Sequence, residues 1–131
     1  MKTTKILVIE DNELNLKLFR SLLHLGKFEV LEARDAETGI NLAKKTFPDL
    51  ILMDIQLPGM DGLEATQIIR KDSLLKNIPI LALTSYAMEG DEEKAKKAGC
   101  TCYITKPIDT RSFINIIRGF VDNDLKGDLT N

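Results

Sequence analysis

Short apolar runs alternate along the chain with segments of helical period, and this alternation constrains the fold more than any other feature. Five runs are rich in aliphatic and β-branched residues, as is typical of strands buried in a parallel sheet. The predicted strands are Lys5–Ile9, Glu29–Ala33, Leu50–Met53, Ile80–Leu83 and Cys102–Thr105. Apolar residues three or four apart follow each run, which is the period of an amphipathic helix. Because strands that alternate strictly with helices need crossover connections, the sequence predicts an α/β protein.

The number of strand and helix units and their boundaries specify the architecture further. Asp35 and Asp109 are predicted N-caps of the second and fifth helices, and Gly99 is predicted to end the fourth. Five units predict a doubly wound, five-stranded parallel sheet of the flavodoxin-like type, with strand order 2-1-3-4-5. We expect one domain over residues 4–121, followed by a polar tail, residues 122–131, that is frayed or disordered.

Composition and charge exclude several classes of protein. The chain has 131 residues, of which 44% are hydrophobic and 29% charged, so it can bury one core and is neither disordered nor fibrous. A net charge of -2, with no helix-turn-helix and no basic stripe, argues against a nucleic-acid partner. No apolar run approaches the roughly 18 residues that span a bilayer, and no signal peptide is recognisable. We therefore expect a cytoplasmic protein that does not insert into membranes.

Carboxylate, hydroxyl and ammonium side chains stand where four of the predicted strands end. They are Glu10 and Asp11 after the first strand, Asp54 after the third, Thr84 after the fourth, and Lys106 after the fifth. Ligands of open parallel sheets bind at this edge, at the switch point between the first and third strands. Three carboxylates held together repel one another, and a divalent cation relieves the repulsion. Oxygen ligands favour Mg²⁺, with Mn²⁺ as the alternative.

A carboxylate with a metal, a lysine and a hydroxyl around it suits the formation of an acyl phosphate. In this hypothesis Asp54 attacks a phosphoryl group, and Lys106 holds one phosphoryl oxygen as a point charge. The hydroxyl of Thr84 donates to a second oxygen, and backbone amides beyond the third and fourth strands donate to others. A cis peptide bond before Pro107 would aim the lysine, but the sequence leaves the isomer open.

At these residues the chain resembles the receiver domains of two-component response regulators, which have a CheY-like fold. The motifs that carry the resemblance are Val8–Asn12 (VIEDN), Met53–Gly62 (MDIQLPGMDG), Ala82–Ser85 (ALTS) and Tyr103–Pro107 (YITKP). They occur in the family's order and spacing, and the resemblance extends over about residues 4–121. Within the family, the motifs are most similar to those of a single-domain regulator of cell division.

The resemblance implies roles for the residues at the strand ends. Asp54 would be the phosphoacceptor, and the carboxylates of Asp11 and Asp54 would bind Mg²⁺ directly, together with the backbone carbonyl of Gln56. Glu10 would contact the metal largely through water. Glu10 and Asp11 stand where many relatives have two aspartates, a longer reach that the family accepts.

The resemblance also implies a signalling switch rather than an enzyme with independent turnover. Thr84 and Lys106 would bind the phosphoryl group, and Tyr103 would change rotamer as Thr84 moves. The face formed by the fourth helix, fifth strand and fifth helix would then contact a downstream protein. The phosphodonor would be a histidine kinase or a histidine phosphotransfer protein.

Two further hypotheses concern the surroundings of the site. The first predicted helix carries more apolar residues than one stripe of about 100° covers, so some of its leucines should be exposed. Leu14, nearest the site, is expected to help dock the histidine-bearing helix of the donor. Tyr86, two residues after Thr84, is expected to shield the acyl phosphate and slow its hydrolysis.

Three alternatives to a free-standing phosphoreceiver remain. In the first, the chain is a receiver excised from a hybrid histidine kinase, although Met1 and the polar tail favour a free-standing protein. A second alternative is a receiver that only docks proteins and never carries phosphate, against which the intact set of site residues argues. A third is a phosphatase with an aspartyl nucleophile, which is disfavoured because it needs a carboxylate where Gln56 stands.

Overall fold

Five strands and five helices alternate in a computed structural model of the chain, which describes residues 3–85 and 88–122. The elements are β1 (Lys5–Ile9), α1 (Glu13–Leu25), β2 (Glu29–Ala33), α2 (Ala36–Thr46), β3 (Leu50–Asp54), α3 (Gly62–Lys71), β4 (Ile80–Thr84), α4 (Asp91–Ala98), β5 (Cys102–Thr105) and α5 (Thr110–Val121). All pairs of neighbouring strands are parallel, and the strand order is β2-β1-β3-β4-β5. The predicted doubly wound α/β fold is therefore confirmed. Met1, Tyr86 and the tail beyond residue 122 lie outside the described residues.

The strands are apolar throughout because helices cover both faces of the sheet. Alternate strand residues point to opposite faces, so they divide between two hydrophobic cores. The α2–α4 core, which lies against α2, α3 and α4, includes Leu7, Ile9, Ile51, Met53, Ala82 and Ala95. The α1/α5 core, on the other face, includes Val8, Leu16, Phe19, Leu50, Leu52, Phe113 and Ile117. Each of the two clusters closes one face of the same sheet.

Short polar side chains begin four of the helices. The side chains of Asn12, Asp35, Asp61 and Asp109 each accept a hydrogen bond from a backbone amide in the first turn of α1, α2, α3 and α5. These bonds satisfy amides that have no partner within the helix. The predicted caps at Asp35 and Asp109 are confirmed. Gly99 ends α4 with φ 112°, a conformation that glycine adopts without steric cost.

Helix α1 has a wide apolar surface, of which only part is buried. Leu16, Phe19, Leu22 and Leu23 are buried in the α1/α5 core, whereas Leu14, Leu18 and Leu25 are exposed. The prediction that some leucines of this helix are exposed is confirmed.

Helix length and polarity also bear on membrane insertion. Within residues 3–85 and 88–122, every helix is too short or too polar to cross a bilayer.

Candidate functional site

Three carboxylates meet at the carboxyl edge of the sheet. One oxygen each from Glu10, Asp11 and Asp54 lies within 4.8 Å of the other two. They come together because β1 and β3 are neighbours, with Ile9 paired to Met53 one residue before the acidic positions. Glu10 and Asp54 are buried, and Asp11 is exposed. This is the switch point at which open parallel sheets bind ligands.

Lys106 reaches this cluster from the outer strand β5. Its Nζ lies 2.7 Å from Oε1 of Glu10 and 3.4 Å from Oδ2 of Asp54. The backbone amide of Lys106 donates to the carbonyl of Thr84 at 2.7 Å, which holds the backbone of Lys106 against β4. The Lys106–Pro107 peptide bond is cis, the isomer that the sequence left open.

The charges of the cluster do not balance. The pKa of Glu10 is raised from 4.5 to about 7, mainly by burial and also by the hydrogen bond and negative charge of Asp54, while the hydrogen bond from Lys106 lowers it. One ammonium group is therefore too little positive charge to keep Glu10 fully ionised at neutral pH. A hard divalent cation supplies the missing charge, and carboxylate oxygens are the ligands that Mg²⁺ prefers. The donor set therefore fits Mg²⁺.

Backbone geometry holds Asp54 from the other side. Its Oδ1 accepts a hydrogen bond from the backbone amide of Gln56 at 2.9 Å. Gly62, at the start of α3, packs against this segment so closely that a Cβ there would lie 2.5 Å from the carbonyl oxygen of Asp54 and 2.6 Å from the Cα of Ile55. Only glycine fits this position without displacing the backbone that carries the acidic residue.

The side chain of Gln56 connects two loops beside the cluster. Its Oε1 accepts a hydrogen bond from the backbone amide of Ser85 at 3.0 Å. Gln56 belongs to the loop after β3, and Ser85 follows Thr84 at the end of β4. The loops that leave the two strands are therefore joined through one exposed side chain.

Thr84 and Tyr103 lie on neighbouring strands. Thr84 is fully buried at the end of β4, where it pairs with Thr105 of β5, and Tyr103 pairs with Ala82 on the same two strands. The hydroxyl of Tyr103 is shielded from solvent. Burial raises the pKa of the Tyr103 phenol, the charge of Asp91 raises it further, and the Thr84 hydroxyl lowers it. The phenol thus points inward, between Thr84 and the start of α4.

The structure separates the sequence-predicted residues into two groups. Glu10, Asp11, Asp54 and Lys106 form the cluster, and the backbone segments of Thr84 and Gln56 adjoin it. Leu14 is outside the cluster, on the first turn of α1, with 75% of its surface exposed.

Sequence reasoning missed three features of the site. These are the contact of Lys106 with Glu10, the contact of Gln56 with Ser85, and the close packing of Gly62 on Asp54. The Asp61–Gly62 pair at the start of α3 was the one available signal, and it predicts only a turn.

Comparisons with known proteins agree with this geometry. The sequence model of the response regulator receiver domain matches residues 6–118. The polar-differentiation response regulator DivK of Brucella ovis is 44% identical over 119 residues, which cover 91% of this chain and 97% of that protein. DivK of Brucella anthropi is 45% identical over 116 residues, covering 88% of this chain and 94% of that protein.

Solved structures of receivers have the same fold. The receiver domain of a sensor histidine kinase from Pseudomonas aeruginosa PAO1, solved with a magnesium ion coordinated in its active site cleft, superposes with a TM-score of 0.85 at 31% identity. The match covers 92% of this chain and 99% of that one. The phosphorylated cyanobacterial phytochrome response regulator RcpA superposes with a TM-score of 0.78 at 30% identity, covering 92% of this chain and 94% of that one. The fold, the motifs and these matches together show that the chain belongs to the response regulator receiver domain family of two-component signalling.

Proposed function

We propose that the chain is a cytoplasmic phosphoryl-accepting switch, in which Asp54 takes a phosphoryl group from a histidine kinase or a histidine phosphotransfer protein. The observation that carries the proposal is the cluster of three carboxylates within 4.8 Å, with Lys106 against Glu10 and Asp54. Such a cluster combines a nucleophile, a place for a cation and a fixed positive charge. The chain acts as a switch and not as an enzyme with turnover of its own.

The transfer step uses the carboxylate of Asp54 as the nucleophile. A carboxylate oxygen forms a bond to the phosphorus of phosphohistidine, the P–N bond breaks, and the electron pair of that bond stays on the imidazole. The imidazole nitrogen remains with the donor protein, and Asp54 becomes an acyl phosphate. The Nζ of Lys106, already 3.4 Å from Asp54, moves from Glu10 to a phosphoryl oxygen.

Magnesium fits the same cluster. Asp11, Asp54 and the backbone carbonyl of Gln56 would hold the ion directly, and Glu10 would contact it mainly through water. When bound, the ion neutralises negative charge on the phosphoryl oxygens. The magnesium in the active site cleft of the Pseudomonas receiver supports this assignment. Mn²⁺ would serve as an alternative ion.

The acyl phosphate is read out through Thr84 and Tyr103. The Thr84 hydroxyl would donate to a phosphoryl oxygen, and the phenol of Tyr103, which already lies beside Thr84, would follow by a change of rotamer. Tyr103 belongs to the face formed by α4, β5 and α5, so a downstream protein would bind there according to the state of Asp54. The signal leaves through a protein partner and not through nucleic acid or a membrane.

Recognition of the phosphodonor is proposed to involve Leu14. It is exposed next to the site, and Leu25 at the far end of α1 offers a matched control because both side chains are 75% exposed. Leu14→Asp should slow transfer from the cognate donor at least severalfold, whereas Leu25→Asp should not. Equal rates for the two variants would contradict a docking role for Leu14.

Intact mass spectrometry after incubation with acetyl phosphate tests the proposed function. We expect one phosphate adduct that requires Mg²⁺ and is absent from Asp54→Asn. Asp122→Asn, an exposed aspartate at the end of α5, is the matched control and should be phosphorylated like the wild type. Absence of an adduct in the folded wild type under all conditions would contradict the proposal and favour a receiver that docks partners without phosphate.

A further inference from the structure

The peptide unit between Thr84 and Ser85 is held in a fixed orientation at the edge of the site. The carbonyl of Thr84 accepts a hydrogen bond from the amide of Lys106 at 2.7 Å, on the side of β5. In a trans peptide the N–H points away from the C=O of the same unit. The Ser85 amide therefore points in the opposite direction, toward the end of β3, where Asp54 is located.

The Ser85 amide donates its hydrogen bond to the side chain of Gln56. The Oε1 of Gln56 accepts from the Ser85 amide at 3.0 Å, while the backbone amide of Gln56 donates to Oδ1 of Asp54 at 2.9 Å. A second bond, from the Ile55 amide to the carbonyl of Leu83 at 3.0 Å, holds the start of the loop after β3 against β4. Gln56 thus places a neutral oxygen on an amide that faces the phosphoacceptor.

We propose that Gln56 is a displaceable cap: its side-chain carbonyl occupies the Ser85 amide until a phosphoryl oxygen on Asp54 takes its place. This inference rests on the proposed function, because it requires phosphorylation of Asp54. A charged phosphoryl oxygen is a stronger acceptor than a neutral amide carbonyl, so the exchange is favourable once the acyl phosphate forms. Gln56 is exposed, so its side chain is free to turn outward into solvent.

The exchange has two consequences. The Ser85 amide exchanges its bond to the side chain of Gln56 for a bond to the phosphoryl group on Asp54, so phosphorylation moves the attachment of Ser85 from an exposed side chain to the end of β3. The existing hydrogen bond also opposes phosphoryl binding, because it must break first. The net free energy of an ordinary hydrogen bond is about 0.5–1.5 kcal/mol, which corresponds to a roughly two- to tenfold effect on affinity. Gln56 is therefore a positioning residue that tunes how readily the site accepts a phosphoryl group.

The test compares Gln56→Met with the wild type, since methionine keeps the length of the side chain and removes the carbonyl acceptor. Gln67→Met, on the exposed face of α3, is the matched control. Two quantities are measured: hydrogen exchange of the Ser85 amide by NMR without any phosphodonor, and affinity for beryllofluoride, a mimic of the phosphoryl group, at saturating Mg²⁺. We expect Gln56→Met to exchange the Ser85 amide about two- to tenfold faster and to bind beryllofluoride about two- to tenfold more tightly.

The combination of both results distinguishes a cap from a merely structural side chain. A structural role predicts weaker binding of beryllofluoride in Gln56→Met, because the loop would be less ordered, and this outcome overturns the inference. Unchanged exchange and unchanged affinity overturn it as well. If the wild type and both variants all fail to bind beryllofluoride, the proposed function itself is contradicted, and the inference with it.

Discussion

The three central strands and the two outer strands of the sheet differ in burial and in the groups they carry. Every residue of β3 and β4 is buried, and so is every residue of β1 except the first, whereas β2 has one buried residue and β5 has none. The central strands end in the three carboxylates and Thr84, while the outer strand β5 carries Tyr103 and leads to Lys106. Deeply buried elements open least readily. Asp54, the proposed phosphoacceptor, thus stands on the most deeply buried part of the sheet, and Tyr103 and Lys106, which are proposed to respond to it, stand at a less buried edge.

The largest expected effect is on stability, and it tests this comparison directly. Leu52 of β3 and Ile104 of β5 contact the same α1/α5 core, but Leu52 is fully buried and Ile104 only partly. Leu52→Ala should lower the free energy of unfolding by about 3 kcal/mol, and Ile104→Ala by about half as much. Urea denaturation followed by circular dichroism measures both. Equal losses would show that the edge is as tightly packed as the centre.

Magnesium should stabilise the central strands. Ion binding to the folded state alone raises the free energy of unfolding by about 2.7 kcal/mol at a concentration 100-fold above Kd. Asp11→Asn should remove most of this gain. Because Asp11 is exposed, the substitution should change the free energy of unfolding of the ion-free protein only slightly. The measurement is thermal unfolding with and without Mg²⁺. Glu93→Gln, an exposed carboxylate on α4, should keep the full gain; an equal loss in this control would point to nonspecific charge screening.

One arginine joins several backbone segments near α4 and β5. Arg70 of α3 donates to the carbonyls of Lys76, Ile78 and Gly99, and to the hydroxyl of Thr101. It thereby joins α3 to the segment before β4 and to the turn before β5.

Arg70→Lys should cost about 2 kcal/mol, because an ammonium group cannot reproduce the planar arrangement of donors. Arg111→Lys, exposed on α5, is the control and should be neutral. Chemical denaturation measures both variants. A neutral Arg70→Lys would mean that packing alone holds these segments together.

The smallest effect belongs to the outer strand β2. The Arg20 guanidinium donates to both carboxylate oxygens of Glu32, at 2.5 and 2.8 Å, and holds the pKa of Glu32 below its usual value of 4.5. A carboxylate whose pKa is lower in the folded state stabilises the fold above its unfolded pKa, and this stabilisation is lost as the pH falls through the folded pKa.

Glu32→Gln should therefore be slightly less stable than the wild type at pH 7, by less than any change above because solvent screens the pair. The difference should disappear as the pH falls below 4.5. Thermal unfolding across this pH range measures it, with Glu29→Gln on the same strand as the control. A difference that persists at low pH would mean that packing of Glu32, not its charge, is responsible.

The fold and the membership of the acidic cluster were predictable because both depend on local patterns. Apolar runs located all five strands, and Asp35 and Asp109 located two helix starts. The topology rule for parallel sheets then brings Asp11 and Asp54 together, since their strands are neighbours.

The remaining features depend on side-chain rotamers and on loops distant in sequence. Lys106 is 96 residues from Glu10, and Ser85 is 29 from Gln56, so no local pattern signals either contact. The need for glycine at position 62 likewise arises from a backbone segment that folds back onto it. Sequence patterns indicate where these groups lie but do not identify the residue that each one contacts.

The two separate cores divide the strands into independent sets of positions. Leu52 and Met53 are adjacent in β3 but belong to different cores, whereas Leu50 and Leu52 share one. Effects of substitutions add when the residues share no partners and deviate from additivity when they do. Helix α1, which carries the proposed docking residue Leu14, shares its core with α5 of the proposed target-binding face, whereas α4 of that face packs in the other core. Substitutions on α4 can therefore accumulate without repacking the core beneath α1.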